Sequence, residues 1–340
     1  MRFADWIISC SLEVNNGCLR FLADSQARGS IAVTPESEDH TLDIRAIYTE
    51  PLLARDTRRV VSHWRLVQPT WAASEPAAQK AARAHVLKLV DMATMLTHVP
   101  APVRLAMRLA SQATDDKQAK VMLSLARSLP GPVGPEWASL NDLFTHDSAL
   151  WRNPQLFREV DDELVSKRLA GAYRRGYRMA KGLKSGWIEK VSSAEIEQVL
   201  GALLQSSQIA LHGTELLRSV LSDKHKHQLW HLDKFVDALR MRHALRSLRE
   251  RARQVGLAKK KAKRARKYLA TEEIKANQKI DKLLVSAFMM KPKKYGRKLL
   301  EAVDAMDLAS VSSVNMSRVA FAELPDDATM QNIVEESETG

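Results

Sequence analysis

Thr57-Arg58-Arg59-Val60-Val61-Ser62-His63-Trp64-Arg65-Leu66-Val67 carries the helical pattern from which the rest of the chain follows. Its apolar residues Val60, Val61, Trp64 and Val67 recur at steps of three and four, the period of a helix with one buried face. The rhythm resumes through Val86, Leu87, Leu89, Val90, Met92 and Leu96, with Pro69 and residues 73–76 breaking it between. Residues 57–98 therefore read as two helices in a hairpin. Working outward, Pro100 and Pro102 set off a third helix over about 103–113. A fourth covers 115–129, where Asp115 and Asp116 suit the positive end of the helix dipole.

Pro130-Gly131-Pro132-Val133-Gly134-Pro135 is the strongest break in the chain and divides it into halves, 46–135 and 136–300. The second half repeats the theme with long helices over about 162–184, 193–222, 225–254 and 257–287. The expected fold class is all-α, with two four-helix bundles in a pseudo-two-fold arrangement. A short irregular N-terminal segment, 1–45, precedes them, with room for a strand or two between residues 7 and 33. An acidic, mobile tail over 301–340 follows.

The chain has 340 residues, 45% hydrophobic and 27% charged, a folded and soluble balance that excludes a disordered protein. Its longest largely apolar stretch, residues 283–290, falls far short of the roughly 20 residues a membrane span needs. No secretory leader is visible at the start, where Arg2 and Asp5 share a mixed segment. Two cysteines, Cys10 and Cys18, suit a reducing compartment, so a cytoplasmic location is expected. The net charge of +12 is unevenly spread. Residues 301–340 hold nine acidic residues against one basic, residues 1–50 are also net acidic, and the body over 51–300 is left at +24. Such a body expects a polyanion as partner.

Two cationic clusters stand out. Lys167, Arg174, Arg178 and Lys181 share one face of a helix, with Arg175 beside them and Leu169, Ala172, Tyr173, Ala180 and Leu183 opposite. This is either a solvated face or a track for a string of phosphates. In the run from Lys259 to Lys267, seven of nine residues are cationic, and Tyr268 is the only aromatic nearby. Single-strand binders that read bases interleave aromatics for stacking, so this run fits phosphate alone or a nucleic-acid backbone. His227 and His231 sit one helical turn apart, but no Cys or paired Glu accompanies them, so no metal is expected. No phosphate-binding loop, nucleophile elbow or dinucleotide fingerprint is present. Neither an enzyme nor a cofactor is expected.

Ser286-Ala287-Phe288-Met289-Met290-Lys291-Pro292-Lys293-Lys294-Tyr295-Gly296-Arg297-Lys298-Leu299 resembles the closing signature of the CHAD family, the conserved histidine α-helical domain. Ala172-Tyr173-Arg174-Arg175-Gly176-Tyr177-Arg178 resembles that family's Tyr-Arg-Arg-Gly-Arg helix, and Arg55, Arg58, Arg59 and Arg65 fall where its first arginine-rich helix would lie. The resemblance spans about 46–300. It implies two helical bundles and non-catalytic binding of inorganic polyphosphate by Arg, Lys and His around a basic cavity, with association to polyphosphate or storage granules. The family's histidine motifs would fall near residues 51–55 and 201–205, where this chain has no histidine.

On this reading Lys167, Arg174, Arg175, Arg178 and Lys181 form one wall of the anion site, and Lys259, Lys260, Lys263, Arg264 and Lys267 form a second. Arg58 and Arg59 contribute from the first half. Arginine grips phosphate oxygens in pairs, while lysine adds mobile charge. Two other partners fit the same residues: nucleic acid, and an acidic protein docked by a granule or assembly scaffold.

Overall fold

A buried carboxylate organises the first part of the chain. Asp147 is fully buried, and its two oxygens accept four N–H donors from four helices. Trp64 Nε1 and His85 Nε2 reach one oxygen at 2.8 and 2.9 Å. Trp151 Nε1, at 2.7 Å, and the Asn15 side-chain amide reach the other. The helices so tied are α1 (Phe3–Ala27), α2 (Ile44–Val67), α3 (Ala77–His98) and α6 (Trp137–Trp151). The Trp64 and Trp151 rings pack at 4.1 Å, and Phe157, in a 3-10 turn, stacks on Trp151 at 5.5 Å.

The computed structural model describes residues 2–27, 44–68, 77–98, 101–129, 137–183 and 193–305. Its other helices are α4 (Ala101–Ser111), α5 (Asp116–Ser128), α7 (Asp162–Leu183), α8 (Ser193–Glu215), α9 (Asp223–Gln254), α10 (Lys259–Ala287) and α11 (Pro292–Asp304). Among the described residues there is no strand, and the fold is all-α. The compact unit runs from Met1 to Asp304. The expected hinge at residues 130–135 and the acidic tail beyond residue 305 lie outside the described residues.

Two four-helix groups result. The first is α1, α2, α3 and α6. The second packs α4 and α5 against the C-terminal half of α9 and against α10, around Leu109, Met122, Leu125, Leu248 and Leu269. Both groups draw on both halves of the chain, so the cores do not divide at residue 135. A third centre joins α7, α8, α9 and α11. There the Tyr173 ring stacks on Tyr295 at 3.7 Å, and its hydroxyl donates to Met290 O at 2.9 Å and accepts from Gln228 Nε2 at 2.6 Å. Burial raises the pKa of both tyrosines, that of Tyr295 to about 12. Arg168 Nη1 reaches back from α7 to Leu66 O, at 2.9 Å, satisfying a carbonyl that the end of α2 leaves open.

The N-terminal segment corrects the expectation of irregular chain or strands. Residues 3–27 form one helix, and Phe3, Ile7, Cys10, Ser11, Asn15, Cys18 and Leu22 share its buried face. The period is helical, but Ser11 and Asn15 hide it by placing polar side chains in the core. Ser11 Oγ is held by Ile7 O at 2.7 Å and by His63 Nδ1 at 2.8 Å. Both cysteines are free and buried, and burial pushes the Cys10 thiol up to about 12, so they act as packing groups. Helices α6 and α11 also go beyond the eight expected helices. The expected helix over 193–222 ends at Glu215 and continues as turns.

Two substitutions test this packing by denaturant unfolding. Asp147→Asn turns an amide N–H₂ toward two buried donors and should cost about 3 kcal/mol or more, whereas Asp142→Asn, exposed on the same helix, should stay within about 0.5 kcal/mol. A Cβ added at Gly176 would stand 2.8 Å from the Phe288 ring carbons. Gly176→Ala should therefore destabilise by about 1–3 kcal/mol despite the usual helical preference for alanine.

Candidate functional site

On α2, residues 58, 61, 62 and 65 lie on a face turned away from Trp64. Arg58, Val61, Ser62 and Arg65 line a cavity of about 230 Å³ there. Opposite, α8 contributes Gly201, Leu204, Gln205, Gln208 and Ile209, and α9 contributes Arg240, His243, Ala244 and Ser247. Val90 and Ala93 of α3 and Pro102 of α4 complete the lining among the described residues. Each set repeats at three or four, as a helix must to present one face.

The electrostatics are those of crowded cations. Burial, reinforced by repulsion from Arg240, brings the Arg58 guanidinium down to about 9, still charged at neutral pH. Burial lowers Arg240 as well, with Asp237 and Asp233 opposing the shift. Arg240 Nη1 reaches Asp237 Oδ1 at 3.3 Å, while its Nε and Nη2 are buried without a hydrogen-bond partner among the described residues. Arg65 is lowered by burial and then by Arg175 of α7, a member of the α7 cationic strip close enough to repel it. Turned with its oxygen toward Arg65, the Gln205 amide accepts from both guanidinium nitrogens at 2.7 Å.

Two neutral histidines underlie this face. Ser62 Oγ donates to Arg58 O at 2.9 Å, so His212 Nδ1–H donates to Ser62 Oγ, also at 2.9 Å. Burial, then the charges of Arg240, Arg59 and others, holds His212 well below the usual histidine range. Burial and Arg59 bring His63 down to about 3.

The predicted site residues divide among three places. Arg58 lines the cavity. Arg59 lies behind it, half-buried and 3.7 Å from Asp56. Arg174, Arg175, Arg178 and Lys181 stand exposed along α7, and Lys167 is exposed but paired with Glu163 at 2.7 Å. Lys259, Lys260, Lys263, Arg264 and Lys267 are exposed on α10. Of these, Arg264 and Lys267 face a separate hollow of about 710 Å³ between α5 and α10, shared with Lys117, Tyr268 and Lys275. The two expected walls thus do not enclose one site, because neither depression is lined by residues of both α7 and α10. The physical reason is packing: α10 lies against α9 and α5, while α7 lies against α8 and α11.

Sequence reasoning missed Arg240, His243, Gln205 and Gln208. Their signal was the polar spacing 240, 243, 247 on α9 and 201, 205, 208 on α8, hidden among many other charges. Those charges are largely consumed within the fold. Arg242 is 5% exposed and bidentate to Glu197, and Arg246 reaches the same carboxylate at 2.7 Å. Arg249 pairs with Glu273 at 2.8 Å. Among the described residues no group of three or more His, Cys, Asp or Glu is placed to hold a metal, and no helix is long and apolar enough to cross a membrane. No family model, no curated protein and no solved structure matches the chain.

The buried histidines give stability a sign with pH. Unfolded histidine takes up its proton near pH 6.5, but His63 does so only at about 3 when folded. The unfolded state therefore binds more protons below about pH 6.5, and stability falls on acidification by up to about 1.4 kcal/mol per pH unit for each such histidine. Urea unfolding at pH 7.5 and 5.5 should show this loss, and His63→Asn should reduce its slope by about one histidine's share.

Proposed function

We propose that this protein binds inorganic polyphosphate without chemically changing it, as a CHAD-like protein without histidines at the places where the family's histidine motifs would fall. The observation that carries this reading is the convergence of Arg58, Arg65 and Arg240 on one cavity, with Arg175 leading from Arg65 onto the α7 strip. A phosphate chain anchored at the cavity mouth and running past Arg175 to Arg174, Arg178 and Lys181 would turn cation repulsion into attraction. Two further observations support it. Gly201, Leu204 and Gln205, from the stretch where the family's second histidine motif would fall, line this cavity. The two segments that carry the resemblance also pack on each other through Tyr173 and Tyr295. On this reading the protein is cytoplasmic and granule-associated.

A second reading, binding of a nucleic-acid backbone, rests on the α5–α10 hollow, where Arg264, Lys267, Lys117 and Lys275 gather beside Tyr268. One experiment separates the two: binding of labelled long-chain polyphosphate across a salt series, with duplex DNA and single-stranded RNA as competitors. The triple change Arg174→Glu, Arg175→Glu, Arg178→Glu should weaken polyphosphate binding at least ten-fold, about 1.4 kcal/mol, and flatten its salt dependence. Lys260→Glu with Lys263→Glu and Lys267→Glu should do less. Displacement by DNA or RNA at lower phosphate concentration than polyphosphate itself, or indifference to the α7 changes, would overturn the polyphosphate reading.

A further inference from the structure

The cavity is divided by helix. Its charges, Arg58, Arg65 and Arg240, all come from α2 and α9, and α9 adds the His243 imidazole. What α3 and α4 bring is apolar, Val90, Ala93 and Pro102, while α8 is mixed, with Leu204 and Ile209 beside the amides of Gln205 and Gln208. Inorganic polyphosphate is charged along its whole length, and inside this space it would press hydrated oxyanions against an apolar wall. Desolvating them there without hydrogen bonds is costly. Two buried N–H groups of Arg240, Nε and Nη2, have no hydrogen-bond partner among the described residues, as expected of donors that await an acceptor. The volume, about 230 Å³, lies below the roughly 300–1,000 Å³ of ordinary small-molecule sites and limits the occupant to a small one.

We infer that the cavity takes a small amphipathic anion: a phosphate or carboxylate head held by Arg240, Arg65 and Arg58, on a short apolar body lying against Val90, Ala93, Pro102, Leu204 and Ile209. This rests on the reading of the cavity arginines as anion ligands, but not on which polymer covers the α7 strip. The small anion occupies the interior, and polyphosphate is confined to the mouth and the outer face. Burial of the apolar body adds to what the arginines gain from the head, so head and body together set the affinity.

The test is calorimetric titration of the full chain with hexyl phosphate, heptanoate, inorganic phosphate and 1-hexanol, repeated on two variants. Gly201 lines the cavity and a Cβ added there meets nothing within 4 Å, so Gly201→Phe sets a ring at the cavity's edge. Arg240→Met keeps the stem and removes the donors. Hexyl phosphate or heptanoate should bind at least ten-fold more tightly than inorganic phosphate and hexanol, and both variants should lose that preference. The plug should leave polyphosphate binding within about two-fold. Equal affinity for hexyl phosphate, heptanoate and inorganic phosphate, or binding unmoved by Gly201→Phe and Arg240→Met, overturns the inference. Loss of polyphosphate together with the amphipathic anions in Gly201→Phe assigns the interior to the polymer and also overturns it. Plug-sensitive binding of hexyl phosphate or heptanoate by a protein that binds no polyphosphate sustains the inference while the polyphosphate reading fails. Which of the two heads binds more tightly identifies the natural ligand as a phosphate monoester or a carboxylate.

Discussion

A charge taken out of water must be met by hydrogen bonds on every side, and Asp147 imposes that constraint on four helices at once. Its carboxylate has room for four donors and receives four: an indole from α2, an imidazole from α3, an amide from α1 and an indole from α6 itself. Rotating α2 about its axis would pull Trp64 off the carboxylate. The residues 58, 61, 62 and 65 lie roughly 60–160° round the helix from Trp64. The hydrogen bond that fixes Trp64 thereby also fixes where Arg58 and Arg65 point. Geometry at the cavity is set from the opposite side of the helix that lines it.

The distribution of positive charge follows a similar logic. Arg242, Arg246 and Arg249 spend their charge on Glu197 and Glu273, holding α8, α9 and α10 together. Arg240, two residues before Arg242, turns instead toward Asp237 and the cavity. A formal charge count treats these arginines alike. Burial and pairing separate them: Arg242, Arg246 and Arg249 tie helices to one another, and Arg240 lines the cavity.

Much of the fold was legible because its helices bury ordinary apolar stripes. α2, α3, α5, α7, α9 and α10 announce themselves by Val, Leu and Ile at three and four. α1 and α6 did not, because Ser11, Asn15 and Asp147 occupy positions that a hydrophobic pattern assigns to apolar residues. A polar residue in the core is recognisable only through its partners, and those partners lie on other helices. The α7 motif could be read in both directions: Tyr173 and Gly176 inward, Arg174, Arg175 and Arg178 outward. The cavity was legible only on its α2 side, at Arg58 and Arg65. Nothing local distinguishes Arg240 from the arginines around it, since what sets it apart is the approach of α2 and α8.

The spacing of the Asp147 partners along the chain has a consequence for how the protein is made. Asn15, Trp64 and His85 precede the carboxylate by 132, 83 and 62 residues. A chain emerging from the ribosome therefore exposes three polar or aromatic groups well before the acceptor they share has been synthesised. Helices α9 and α10 are successive in sequence, and their antiparallel pairing closes only a short loop. Contacts of that kind form fast, and those that join distant segments form slowly. The α9–α10 hairpin, although translated after the N-terminal core helices, is thus positioned to order fast. The N-terminal core, closed across much longer separations, depends on a slower search.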